Sequence, residues 1–190
     1  MNKLTKIIRI MTIPPIMALC LFVTLYVCVP NFFGSPLLFA LAIFFISVLP
    51  VLAYPLQPLI PSFKNKGRDG QRTLAMIFSV LGYLLGCLTN LFMDAPLTLW
   101  LVYLVYLFSG IFIFLFSKVF HFKASGHACG IMGPIAFLLY FGVWGAVVGL
   151  VPYFAALWAS IKMKRHTLAQ FLGGAVVPVA VLCFLSLVMM

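Results

Sequence analysis

The chain has 190 residues, of which 65% are hydrophobic and only 7% charged, with a mean hydropathy of +1.24. Soluble domains carry about 25% charged residues, so this composition excludes a water-soluble globule, which would lack the polar side chains to cover its core. The charges are also unequal, 12 Lys and Arg against Asp69 and Asp94, for a formal net charge of +10.

Lys3, Lys6 and Arg9 come first and are read as topogenic charges independent of any site. Residues 10–63 then carry no charge. A crossing helix needs about 20 apolar residues, so this run holds two helices, with Pro30, Asn31, Gly34 and Pro36 forming the turn. Pro14 and Pro15 should bend or break the opening turn of the first, leaving part of residues 10–15 at the membrane interface. A signal peptide is the competing reading of residues 1–29. The apolar run is longer than a usual signal core and no A-x-A-like cleavage site follows, which favours a retained helix.

A basic loop over residues 61–72 carries Lys64, Lys66, Arg68 and Arg72, and the charge-free runs 73–93 and 95–117 are each one helix. A second loop holds Lys118, Lys123 and His127. The run 128–161 is either one long tilted helix or two short crossings that turn near Gly142, Gly145 and Gly149, with Pro152 opening the second. Lys162, Lys164 and Arg165 precede the last helix, 167–190. Two crossings in the long run place all 12 cations on one side, opposite Asp94. One crossing places Lys162, Lys164 and Arg165 opposite the rest. The cationic bias of cytoplasmic loops favours the former, with the N-terminus inside. The expected fold is all-α, a single integral membrane domain over residues 1–190, built as a polytopic bundle of about seven transmembrane helices with six as the alternative. Cys20, Cys28, Cys87, Cys129 and Cys183 show no CxxC spacing and read as small apolar residues.

Three loops carry more chemistry than connectors need. Arg68 and Arg72 are spaced i, i+4, so an early helix start puts both on one face, where arginine forks suit phosphate oxygens. Lys123 and His127 have the same spacing, with Ser125 and Gly126 supplying a hydroxyl and an open backbone N–H where a helix begins, an arrangement suited to an anion. On a helix starting near His166, Gln170 lies one turn on and is placed to orient the imidazole, while Lys162 lies one turn before it. Each loop alone also reads as a topogenic basic cluster. Their coincidence, with two of three histidines on one side of the membrane among arginines and lysines, suits phosphoryl chemistry on a lipid headgroup.

These residues resemble the type 2 phosphatidic acid phosphatase superfamily of membrane lipid phosphatases. Lys123, Ala124, Ser125, Gly126 and His127 resemble its P-S-G-H signature. Arg165, His166, Thr167 and Gln170, with Gly173 and Gly174 after them, resemble its final histidine signature. Residues 67–72 resemble the N-R-x-x-R segment of small bacterial members. The likeness spans a phosphatase-like core of about residues 61–174. It implies that His166 is a nucleophile forming a phosphohistidine and that His127 is the general acid and later base. Arg72, Lys123, Ser125 and Gly126 would hold the phosphoryl oxygens, with Arg68 and Lys162 near them and Gln170 orienting the nucleophile. No metal and no cofactor are implied, in keeping with the scarcity of carboxylates. The implied substrate is a phosphomonoester or diphosphate of a lipid, such as phosphatidic acid, phosphatidylglycerophosphate or a polyprenyl diphosphate, in a bacterial cytoplasmic membrane. No nucleic-acid partner is expected. Position 124 is Ala where the family has Pro, position 170 is Gln where it has Asp, and position 160 is Ser where it has Arg. The alternative is therefore a weakened or inactive relative that binds anionic lipid or a membrane partner. A small transporter is disfavoured because the apolar runs carry no charge to mark a pathway.

Overall fold

The computed structural model describes residues 3–189, apart from the side chains of Lys6 and Lys118, so the topogenic charge assigned to Lys6 lies outside the described side chains. Helix α1 spans Lys3–Met11 and α2 spans Pro14–Cys28, with a 45° bend between them. The bend follows from the double proline. Ile13 is extended (φ −64°, ψ 145°), as a residue before proline prefers, and Pro14 starts a fresh helix where its missing N–H costs nothing.

The next rod is built from α3 (Pro36–Ile43), a π-helical segment (Phe44–Val48), α4 (Leu49–Leu56) and a 3-10 turn (Gln57–Leu59). Ser35 caps its start by accepting from Leu38 N at 3.2 Å. Pro50 has no N–H to offer the carbonyl one turn back, and the ladder slips into the wider register just before it. At the rod's far end, buried Gln57 donates from Nε2 to the carbonyls of Phe63 (3.0 Å) and Gly67 (2.9 Å), which ties the first basic loop against it. There follow α5 (Gly67–Phe92), α6 (Leu97–Lys118), α7 (Gly126–Tyr140), a 3-10 segment (Trp144–Gly149), α8 (Leu150–Lys162) and α9 (Leu168–Met189). No strand occurs among the described residues.

Five elements are long and apolar enough to cross a membrane: Pro36–Leu59, Gly67–Phe92, Leu97–Ser117, Trp144–Lys162 and Leu168–Met189. The bent pair α1 and α2 makes a sixth if taken as one span. The long run 128–161 is not a single tilted helix, because the chain breaks at Gly142, whose φ of +78° suits glycine. Its first half, α7, has 15 residues, about 22 Å at 1.5 Å per residue, short of a hydrocarbon core of about 30 Å. The chain is an integral membrane protein. Leu84, Leu88 and Leu91, one stripe of α5, are 49, 50 and 64% exposed, a surface that lipid and not water would cover.

Helix α9 packs against both α6 and α7, and α2 lies along α7. The main core joins Leu21, Phe22 and Leu25 of α2 to Val102 and Tyr103 of α6, Phe137 of α7 and Leu182 of α9. Gly82 and Gly86 let α5 close on the Phe45 carbonyl and the Tyr103 ring. In lipid, where apolar side chains gain little by leaving the solvent, such close backbone approach is the main source of helix association.

Candidate functional site

The three basic loops meet α1 at one end of the bundle. The first loop delivers Arg68 and Arg72, which fall one turn apart in α5 because that helix starts at Gly67. The third loop, 163–167, delivers Arg165 and His166. Arg9 enters from α1. The three other arginines act on it electrostatically: its guanidinium is pushed below its ordinary pKa first by burial, then by Arg165, Arg72 and Arg68. Arg165 is lowered in the same way, by burial and then by Arg68 and Arg72. No carboxylate is among the groups acting on either. Two half-buried guanidinium groups, Arg9 and Arg165, with the exposed Arg68 and Arg72 acting on both, form a cationic rim suited to an anion.

The second loop is seated on the start of α9. Ser125 N donates to the Gln170 carbonyl at 2.9 Å. A Cβ at Gly174 would strike the Ser125 carbonyl oxygen and come within 2.8 Å of its nitrogen, so glycine is required for this approach. Gly173 lies under the Phe122 ring. The seat carries the Lys123 carbonyl to 3.2 Å from His166 Nδ1. A carbonyl only accepts, so Nδ1 bears the proton and Nε2 keeps its lone pair. His166 is held below its ordinary pKa first by burial, then by the charges of Lys123 and Arg72, against the opposing hydrogen bonds from the Lys123 carbonyl and Gln170. The ring is therefore disposed toward its neutral, nucleophilic form.

His127, the second residue of α7, lies on the other side. Its Nε2 is 2.8 Å from Thr12 Oγ1, and Arg9, Arg165 and the second imidazole, His166, act on it electrostatically. The two histidines named from the sequence are thus brought together with Arg68, Arg72 and Lys123. Other expected members have different tasks. Ser125 is fully buried, and its hydroxyl caps α7 by accepting from Ala128 N at 3.3 Å. Gly126 is exposed at the first position of that helix. Lys162 turns away, its ammonium 4.5 Å from the centre of the Trp158 ring. Gln170 chiefly closes a capping box: its Oε1 accepts from Thr167 N at 3.1 Å, and its own N–H donates to Thr167 Oγ1 at 3.2 Å. The Lys123 carbonyl holds the His166 ring at Nδ1, and the Gln170 side chain also hydrogen-bonds that ring.

Three site residues were not assigned from the sequence. Arg9 is not independent of the site, as its position before the first apolar run suggested, because α1 folds back against α8. Thr12 reaches His127 across 115 residues of chain. Arg165 supplies a cation near the place that Ser160 leaves without one. The only usable signals were the double proline, which forces α1 off the axis of α2, and the basic position of Arg165 beside the histidine. Among the described residues no group of three or more His, Cys, Asp or Glu is assembled that could hold a metal. Comparison with protein-family models, curated proteins and solved structures finds no match for this chain.

Proposed function

We propose that the protein is a membrane lipid-phosphate phosphatase of the type 2 phosphatidic acid phosphatase kind, crossing a bacterial cytoplasmic membrane seven times with its site at the cytoplasmic face. The observation that carries this reading is the Nδ1–H of His166 bound to the Lys123 carbonyl, which keeps the lone pair on Nε2 in a ring on which the charges of Lys123 and Arg72 act. Nε2 attacks the phosphorus of a lipid phosphomonoester or diphosphate, a P–N bond forms, and the P–O bond to the leaving group breaks. His127 gives that oxygen its proton and afterwards takes one from the water that cleaves the phosphohistidine. Arg68, Arg72 and Arg165 spread the charge of the equatorial oxygens. Seven crossings follow if α7, though short, completes a pass with the turn at Gly142, so that loops 60–66, 119–125 and 163–167 share a side.

The test is phosphate release by purified protein in EDTA from phosphatidic acid, phosphatidylglycerophosphate and undecaprenyl diphosphate, with His166→Ala as control. Release no greater than that of the variant on all three sinks the enzyme reading. A C-terminal tag reached by an impermeant label from outside supports the topology, and its protection removes it.

One observation favours a second reading, lipid binding without turnover. Gln170, where the family has a carboxylate, is a neutral amide whose oxygen also accepts in the helix cap, so its hydrogen bond to His166 brings no negative charge behind the ring. In that case His166→Ala leaves phosphatidic acid binding unchanged while Arg72→Gln weakens it.

A further inference from the structure

The polarity of α1 is inverted. Leu4, Ile7, Ile10 and Met11 are each more than half exposed, whereas Thr5 and Thr12 are buried and Arg9 is half-buried. A helix of a soluble protein does the opposite. The arrangement suits a helix lying at the lipid interface, apolar stripe toward the acyl chains and polar face toward the protein. That polar face rests on the site. Gly130 allows it, because the ring of Pro14 packs where a Cβ at position 130 would stand, 2.5 Å from Pro14 Cβ and Cγ, and so brings the hinge between α1 and α2 against α7.

We propose that α1 is a wall of the phosphate site, in which Thr12 is the positioning residue of His127 and Arg9 is a ligand of the phosphoryl group. This rests on the phosphatase reading for its catalytic consequence, but not for the contacts. Thr12 Oγ1 donates to the Ile8 carbonyl at 2.7 Å, so its one proton is committed and toward His127 it can only accept. The imidazole must then carry its proton on Nε2 when neutral, which leaves Nδ1 to face the substrate. The departing oxygen receives its proton from Nδ1, after the incoming phosphate has offset the surrounding cations and let the ring bind a second proton. That second proton comes from the water at the membrane face, so Nδ1–H forms at the expense of a solvent proton and then breaks as the O–H bond of the leaving group forms, returning the ring to its neutral Nε2–H form. Arg9 is placed for the phosphate because it stands three residues before Thr12, where the helical hydrogen bond from Thr12 N to the Ile8 carbonyl puts both on one face, half-buried beside the residue that touches His127, and the charges that bear on it there are those of Arg68, Arg72 and Arg165.

The test uses full-length protein with 15N-labelled histidine in phosphatidylcholine nanodiscs, with and without phosphatidic acid, and His127→Gln to assign the resonance. The wild type and Thr12→Ser should show the Nε2-protonated tautomer, and Thr12→Val a mixture. In turnover of phosphatidic acid, Thr12→Val should lower kcat about tenfold with KM little changed, and Thr12→Ser should restore it. Arg9→Gln should raise KM severalfold and weaken the 31P shift of phosphatidic acid, whereas Arg9→Lys retains much of both. A wild-type spectrum unchanged in a folded Thr12→Val protein, or Thr12→Val turnover equal to wild type, overturns the role of Thr12. Unaltered phosphatidic acid binding in Arg9→Gln overturns that of Arg9. If the wild type turns over no substrate, the phosphatase reading fails, and the 15N and 31P results still decide whether α1 is a wall of the site.

Discussion

Replacing Gly174 with alanine inserts one methyl group between α9 and the loop that carries Lys123. The new Cβ would overlap the Ser125 carbonyl oxygen and lie 2.8 and 2.9 Å from Ser125 N and C, where ordinary contact starts at 3.4 Å. These are backbone atoms on both sides, so no rotamer change absorbs the conflict and the loop must lift by several tenths of an ångström to about 1 Å. Overpacking of this kind costs about 1–3 kcal/mol. Lifting the loop also lengthens the 2.9 Å bond from Ser125 N to the Gln170 carbonyl, worth about 1 kcal/mol more. The same movement draws the Lys123 carbonyl away from His166 Nδ1, and a misplacement near 1 Å at a reacting group costs on the order of 100-fold in rate. The control is Gly173→Ala, whose Cβ meets only the edge of the Phe122 ring at 2.8 and 3.2 Å, a side chain that can swing aside. Thermal unfolding followed by tryptophan fluorescence in detergent, together with phosphate release, checks both. A Gly174→Ala protein that melts and turns over like the wild type refutes the assignment of the Gly174 contact as the seat of the Lys123 loop.

Other consequences are open to measurement. His166 has its pKa lowered in the folded protein, so its neutral form should persist below pH 6.5, and if that form is the proposed nucleophile the acid limb of kcat/KM should fall below that value. The stability contribution runs the same way: it is complete above the unfolded pKa near 6.5 and is lost as pH falls toward the folded one, where the unfolded chain binds the proton more readily. Lys123→Met removes one charge that depresses His166 and should move the limb up, as a pH profile of phosphate release would record. Thr167→Ala opens the capping box at the head of α9 and should cost about 1 kcal/mol in thermal unfolding, with little added by a second change at Gln170 because the two bonds are reciprocal. Lys162→Gln should leave phosphatidic acid affinity unchanged, because that ammonium lies over Trp158, while Arg72→Gln lowers it severalfold.

The helices were legible because a charge inside a bilayer is costly, so each charge-free run marks apolar chain and each cluster a rim. The break at Gly142 and the bend at Pro14 and Pro15 were legible for backbone reasons. Spacing arguments failed wherever they were carried across a helix end. Lys123 and His127 are four residues apart, but α7 starts only at Gly126, so the two share no helix face, and Lys123 acts on His166 instead, by its carbonyl and by its charge. Lys162 and His166 are separated by a turn with Lys164 at φ +52°, which redirects the chain between them. Thr167 and Gln170 have capping-box spacing, a local signal for the start of α9, and the same glutamine also hydrogen-bonds His166. Arg9 and Thr12 were illegible for a different reason: their partners lie on helices far along the chain, and no local pattern encodes which rim a folded-back helix will cover.

The hydrogen bond between Thr12 and His127 also bears on how the protein is made. It joins residues 115 positions apart, which at about 5–20 residues per second separates their synthesis by about 6–23 s. During that interval α1 has emerged while α7, α8 and α9 have not, so the amphipathic segment waits at the lipid surface with its arginine unaccompanied. The site exists only once the last helices have been inserted. A chain stalled or cut before α9 therefore carries every arginine of the first loop and both prolines of the hinge, yet lacks the helix on which the Lys123 loop is seated.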